Sequence, residues 1–245
     1  MAAKKSKRPL FLLHGLGGSA ADWADSGVAL AKHFTIQAVD MPGSLNGAAS
    51  PDGYDPAALA RWLLGTLPDA PVFLAGHSLG GRVAGEAAAL ALVSPLGSAR
   101  YSFTDTLKWK AMSRRAVLES VPESSLRSAA GYGFEGGGER KRGFVDRAVA
   151  AQTGPGKREL ALATERSVDG VLAAPPLSER LRGTRMPLLV VAGGHDPLVP
   201  PKEAREILKA RPDATFLELP AAGHYAFLED PPRLAEELRA FFARA

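Results

Sequence analysis

Three polar residues set the chemical terms for this chain: Ser78, Asp196 and His224. A serine hydroxyl is a weak nucleophile at neutral pH. An imidazole can take its proton, and a carboxylate can fix the imidazole tautomer and stabilise the imidazolium. Ser78 lies in Gly76-His77-Ser78-Leu79-Gly80, a G-x-S-x-G run. The apolar stretch Val72 to Ala75 before it reads as a buried parallel strand, and the small, helix-favouring residues from Val83 to Ala91 follow it. Strand, tight turn and helix form the setting in which this run makes a nucleophile elbow, with a strained serine at the carboxyl edge of a sheet. The helix start adds partial positive charge and free N–H groups, which suit a developing oxyanion. One oxyanion donor is expected from the backbone of Leu79. The second is expected at Leu16, in the turn His14-Gly15-Leu16.

The partners of Ser78 fall at equivalent places. Asp196 follows the apolar run Pro187 to Ala192, and His224 follows the run Ala214 to Leu219. The chain order is therefore Ser, Asp, His, with both partners on loops after strands. Elsewhere, Leu10 to Leu13 and Phe34 to Val39 read as strands, and Ser19 to Lys32 as a loop and helix with Trp23, Val28 and Leu30 turned inward. Pro56 to Leu67 reads as a helix capped by Asp55, and Lys202 to Ala210 and Pro231 to Ala245 as further helices. Strands alternating with helices predict an α/β fold: a doubly wound, mostly parallel sheet whose ligands sit beyond the carboxyl strand ends. Between Ser94 and Thr184 the pattern turns helical, over roughly Thr104 to Glu119, Arg142 to Ala151 and Glu159 to Leu172, with the glycine-rich stretch Gly131 to Gly138 as a flexible link. The expected organisation is a flexible tail over 1–8, a core over 9–95 and 184–245, and an inserted helical cap over 96–183.

The 245 residues contain no cysteine, which excludes disulfides, thiolate metal sites and a cysteine nucleophile. The formal net charge of +4 comes largely from Lys4, Lys5, Lys7 and Arg8 and from Arg140-Lys141-Arg142. Two short clusters do not make a nucleic-acid face. No apolar run is long enough to span a membrane, and no apolar leader precedes the first strand, so a cytoplasmic protein is expected. The five histidines lack metal-ligand spacing, so no bound metal is expected, and a serine nucleophile with its base needs no cofactor. His77 is expected to pack under the elbow and His14 to brace the oxyanion turn. His33 and His195 read as surface or turn residues. Arg82 reads as a helix-surface salt-bridge partner ahead of a site for a substrate carboxylate, and Trp109, Met112, Tyr132 and Phe134 as residues that line a substrate pocket from the cap or fill the cap core.

In their order, His14-Gly15-Leu16-Gly17 with Trp23, Asp40-Met41-Pro42-Gly43, Gly76 to Gly80, Asp196 and Gly223-His224 resemble the α/β-hydrolase superfamily, in its compact capped branch. The resemblance covers the sheet domain and not the cap. Two places depart from the family: Gly43 runs into Ser44-Leu45-Asn46-Gly47, and the elbow helix runs into Ala89 to Pro95 with almost no loop. The resemblance implies a serine esterase acting on a small-molecule carboxylic ester through an acyl-enzyme. It also admits C–C bond hydrolases, perhydrolases, thioesterases and a menaquinone-pathway lyase on the same triad, and a hydrolase-like ligand sensor.

Overall fold

Short apolar runs form the strands of one sheet: β1 (Pro9–Leu13), β2 (Thr35–Val39), β3 (Phe73–His77), β4 (Ala91–Val93), β5 (Leu189–Gly193) and β6 (Thr215–Leu219). The computed structural model describes residues 7–50, 52–87 and 91–245. Among these the strands lie in the order β2-β1-β3-β4-β5-β6, and every neighbouring pair is parallel. Parallel neighbours need crossover connections, which the helices supply. The chain steps from β1 outward to β2 and then returns to the other side of β1 as β3. The strand order thus reverses between β1 and β3, where ligand crevices of such sheets form.

Helices follow the strands: α1 (Ala24–Leu30) after β1, α2 (Pro56–Thr66) before β3, and α3 (Leu79–Ala87) directly after the elbow. Asp55 starts α2 by accepting the Ala57 and Ala58 N–H groups, each at 3.0 Å, with Pro56 in the first turn where a missing N–H costs nothing. Between β4 and β5 come α4 (Phe103–Ser113), α5 (Arg115–Ser120), α6 (Glu123–Gly131), α7 (Glu139–Thr153), α8 (Lys157–Ala173) and α9 (Leu177–Leu181). α10 (Pro201–Ala204) and α11 (Glu206–Ala210) lead to β6, and α12 (Ala226–Glu229) and α13 (Pro231–Phe242) close the chain.

Alternation along the strands splits the core. Leu10, Leu12, Leu189 and Val191 face α13, where Leu234, Leu238, Phe241 and Phe242 cover them. Phe11 and Leu13 face the other way, onto Leu59 and Leu63 of α2 and Val83 of α3. Burying one such side chain stabilises by about 1.5–3 kcal/mol, so these two faces hold the sheet edge in place beneath the site. β1, β3, β4 and β5 are buried almost throughout, as parallel strands covered on both faces must be.

Several expectations need correction. Val28 is 74% exposed, whereas Trp23 and Leu30 are buried as expected; Ser26 and Gly27 are the other inward residues of α1. The helix expected over Thr104 to Glu119 is two, broken at Arg114, whose guanidinium reaches Glu165 and Asp169 on α8 at 3.1 and 3.3 Å. α6 and α9 were not foreseen. Leu177 and Leu181 of α9 pack with Ala84, Leu188 and Ile207, which places α9 in the sheet's own helical layer. Of the tail expected over 1–8, residues 1–6 lie outside the described residues, as do 88–90 of the helix-favouring stretch Val83 to Ala91. Lys7 and Arg8 are described: Lys7 Nζ donates to the Ala31 carbonyl at 2.6 Å, and Arg8 lies 5.2 Å from the Phe73 ring centre.

Candidate active site

Ser78 stands between β3 and α3 with φ +52°, a left-handed conformation rare for a residue with a side chain. The surroundings hold it there. Its N–H donates to Val93 at 2.9 Å, and its carbonyl accepts from Leu96 at 3.1 Å and Arg82 at 3.0 Å. The flanking glycines are needed for close approach: a Cβ on Gly76 would stand 2.3 Å from the Gly80 carbonyl oxygen. The turn after β1 leans on the same elbow. A Cβ on Gly15 would meet His77 Nδ1 at 2.7 Å and Ser78 Cβ at 3.1 Å. Leu16 and Leu79, which carry the candidate oxyanion N–H groups, pack their side chains into one apolar cluster, so their turns are neighbours.

The histidine and the carboxylate meet. His224 Nδ1 lies 2.8 Å from Asp196 Oδ2, with both side chains almost fully buried. Asp196 Oδ1 already accepts the N–H groups of Leu198 and Val199, each at 2.8 Å. Oδ2 is thus the oxygen that takes Nδ1–H, and the tautomer this selects leaves Nε2 with the lone pair. The backbone of His224 is held on both sides of its Cα: its N–H donates to Gly133 at 2.7 Å, and its carbonyl accepts from His77 Nε2 at 2.9 Å. His77 precedes Ser78 in the chain, so this bond ties the histidine loop to the elbow. The two rings sit edge to face, centres 4.6 Å apart.

His77 and His14 are therefore structural. Burial, reinforced by the neighbouring His224, drives the His77 pKa well below its ordinary value, and its Nε2–H is occupied. His14 accepts the Met41 N–H at Nε2, 3.0 Å away, so its Nδ1–H donates to the Gly15 carbonyl at 2.8 Å. Burial lowers its pKa. A proton on Nε2 would face the Met41 N–H, so the neutral ring suits this bridge between the turns after β1 and β2. Asp40 strengthens the bridge by accepting Ala20 N–H at 2.8 Å.

Other expectations move. Arg82 is fully buried rather than on a helix surface, and donates to the carbonyls of Gly97 at 3.2 Å and Pro175 at 2.8 Å. It fastens both ends of the inserted segment to α3. Trp109 is half-buried beside Tyr101, at a gap of about 10 Å³ that Leu96 and Val171 also line. Met112 and Tyr132 are exposed. Phe134 is buried, stacked 4.3 Å from the Tyr225 ring. The stretch Gly131 to Gly138 is not a free link, since Gly133 packs on the His224 loop. His33 is exposed; so is His195, which pairs with Glu135 at 3.0 Å. Among the described residues no group of three or more His, Asp or Glu side chains is placed to hold a metal ion, and no helix is long and apolar enough to cross a membrane.

Glu203 on α10 is a member of this neighbourhood that sequence reasoning missed; only its place seven residues after Asp196 hinted at it. Burial pushes its carboxyl from 4.5 up to about 7, Asp196 adds to the rise, and a backbone hydrogen bond from Ala99 opposes it. Its Oε1 has no partner among the described residues. A carboxyl whose folded pKa exceeds its unfolded one holds its proton more tightly when folded. Its cost to stability is therefore absent below 4.5, grows as pH rises to about 7, and is constant above that. The full cost is on the order of 1–3 kcal/mol. We predict that Glu203→Gln matches the wild type in urea midpoint below 4.5 and exceeds it above 7. Parallel curves across that window would refute the assignment.

The sequence profile described as Alpha/beta hydrolase family matches residues 10–237. A dihydrolipoyllysine-residue acetyltransferase component of an acetoin cleaving system from Pseudomonas putida is 29% identical over 96% of this chain; the chain spans 64% of that protein. A pimeloyl-[acyl-carrier protein] methyl ester esterase from Pectobacterium atrosepticum is also 29% identical, over 95% of this chain and 93% of its own length. Among solved structures, an esterase from Exiguobacterium antarcticum superposes with a TM-score of 0.82 at 18% identity, covering 98% of this chain and 93% of that one. At that identity the likeness is one of fold.

Proposed function

The chain belongs to the alpha/beta hydrolase family, and we propose that it is a serine hydrolase that cleaves small carboxylic esters through an acyl-enzyme. The observation that carries this reading is the 2.8 Å contact of His224 with Asp196, on a loop tied through the His224 carbonyl to His77, the residue before Ser78. A relative named for a methyl ester substrate supports the ester class.

The reaction follows from the residues. His224 Nε2 takes the Ser78 proton as Oγ bonds to the ester carbonyl carbon. The carbonyl oxygen becomes an oxyanion, held by the N–H groups of Leu16 and Leu79. Collapse of this intermediate breaks the bond to the alcohol oxygen, which leaves with the proton from His224. Water then attacks the acyl-serine, with His224 taking and returning a proton, and releases the acid. Asp196 keeps Nδ1–H in place and stabilises the transient imidazolium.

The test is hydrolysis of p-nitrophenyl acetate and butyrate by the wild type and by Ser78→Ala. The expected loss in kcat is about 10⁴-fold or more. Turnover that survives the substitution contradicts the nucleophile. Wild-type activity confined to vinylogous diketones contradicts the ester class and moves the assignment to C–C cleavage. Acyl chains of increasing length, assayed alongside, set the substrate range.

A further inference from the structure

Glu229, at the end of α12, has no part in the chemistry above, yet both its carboxylate oxygens are engaged by backbone. Oε1 accepts the N–H groups of Glu135 at 2.8 Å and Gly136 at 3.1 Å, and Oε2 accepts that of Gly223 at 2.8 Å. One side chain thus joins the glycine-rich strap 131–138 of the helical insertion to the residue before His224. The strap returns the contact, because the Gly133 carbonyl accepts the His224 N–H at 2.7 Å. These bonds close a ring through 223–224, 229 and 133–136.

Packing leaves this ring little freedom. A Cβ on Gly223 would stand 2.4 Å from the Gly133 oxygen, and one on Gly193, at the end of β5, would stand 1.9 Å from the Gly223 oxygen. The strap, the histidine loop and the end of the strand that leads to Asp196 are thus stacked backbone on backbone. On the outer side Glu135 Oε1 pairs with Nδ1 of His195, the residue before Asp196, at 3.0 Å.

We propose that Glu229 is a positioning residue for His224, acting through the strap; the inference rests on the triad reading above. A carboxylate suits the task because it only accepts, and three donors converge on it. An amide in its place turns a donor toward at least one N–H, and the ring opens there. The His224 backbone then loses its fixed distance to the elbow, and a displacement on the order of 1 Å costs up to about 100-fold in rate.

The experiment compares Glu229→Gln with the wild type on p-nitrophenyl butyrate, alone and in the His224→Ala background. Expected is a fall in kcat of about 10- to 100-fold with KM within about twofold. In the His224→Ala background the same change should leave the residual turnover unaltered, since no imidazole remains to be positioned. Amide exchange over 131–136 and 222–226 should rise in Glu229→Gln. An unchanged kcat overturns the proposal, and so does an equal loss in the His224→Ala background, which marks a general packing role. Should Glu229→Gln fail to fold, Glu229→Asp draws the carboxylate back by one methylene; full kcat together with faster exchange at 222–226 then overturns the proposal. Turnover that survives Ser78→Ala is the separate result that sinks the triad reading itself.

Discussion

Asp196→Asn is expected to lower kcat about 10⁴-fold while the protein stays folded. The reason lies in how the two carboxylate oxygens are committed. Oδ1 accepts from the N–H groups of Leu198 and Val199, and Oδ2 faces His224 Nδ1. An asparagine has one acceptor oxygen. Turned toward His224, it would set its NH₂ against two amide donors, that of Leu198 partly buried and that of Val199 buried. It is therefore held with its oxygen on the turn and its NH₂ donating to Nδ1. The imidazole then carries its proton on Nε2 and has no lone pair for the Ser78 hydroxyl. The shape of the residue is unchanged and both turn bonds survive, so unfolding should move by about 1 kcal/mol or less. The check is kcat for p-nitrophenyl butyrate beside a thermal unfolding curve. A loss under about tenfold in a folded variant would mean that Asp196 does not set the tautomer.

The largest effect on stability is expected at Gly80. A Cβ there would stand 2.4 Å from the His14 carbonyl oxygen and 2.7 Å from that of Leu13. Both are backbone atoms at the end of a central strand, so neither can swing aside as a side chain end would. Gly80→Ala must push α3 away from β1 and carry Ser78 with it. The expected cost is about 3 kcal/mol or more, beyond ordinary overpacking, because rigid backbone meets rigid backbone. Urea unfolding measures it. Gly65→Ala is the control, since a Cβ there meets nothing within 4 Å. Equal stability of the two variants would contradict the packing of the elbow.

Much of this was legible before the fold was known. The elbow, the strands along the chain and the loops of Asp196 and His224 were readable because each is local: an apolar run, then turn residues, then the polar group. The Asp55 cap was readable as well, from a capping residue type set directly before Pro56. The rest depends on contacts between distant segments. Nothing in Glu123 to Gly131 marks a helix strongly, and α9 is short, with Leu177 and Leu181 as its buried residues. Arg82 looked like a surface cation because a guanidinium is costly to bury; the carbonyls of Gly97 and Pro175 that receive it lie 15 and 93 residues away. The glycines of 131–138 suggested freedom, yet Gly133 serves close packing on Tyr225 and His224. Glycine permits both, and the sequence alone does not say which.

The central claim is that Ser78 is the nucleophile and His224 its base. Intact-protein mass spectrometry after exposure to a fluorophosphonate, followed by peptide mapping, addresses it most directly. One adduct is expected, on Ser78, formed at a rate that collapses in His224→Ala and is nil in Ser78→Ala. An adduct on another residue, or labelling of Ser78 at an unchanged rate without His224, would contradict it.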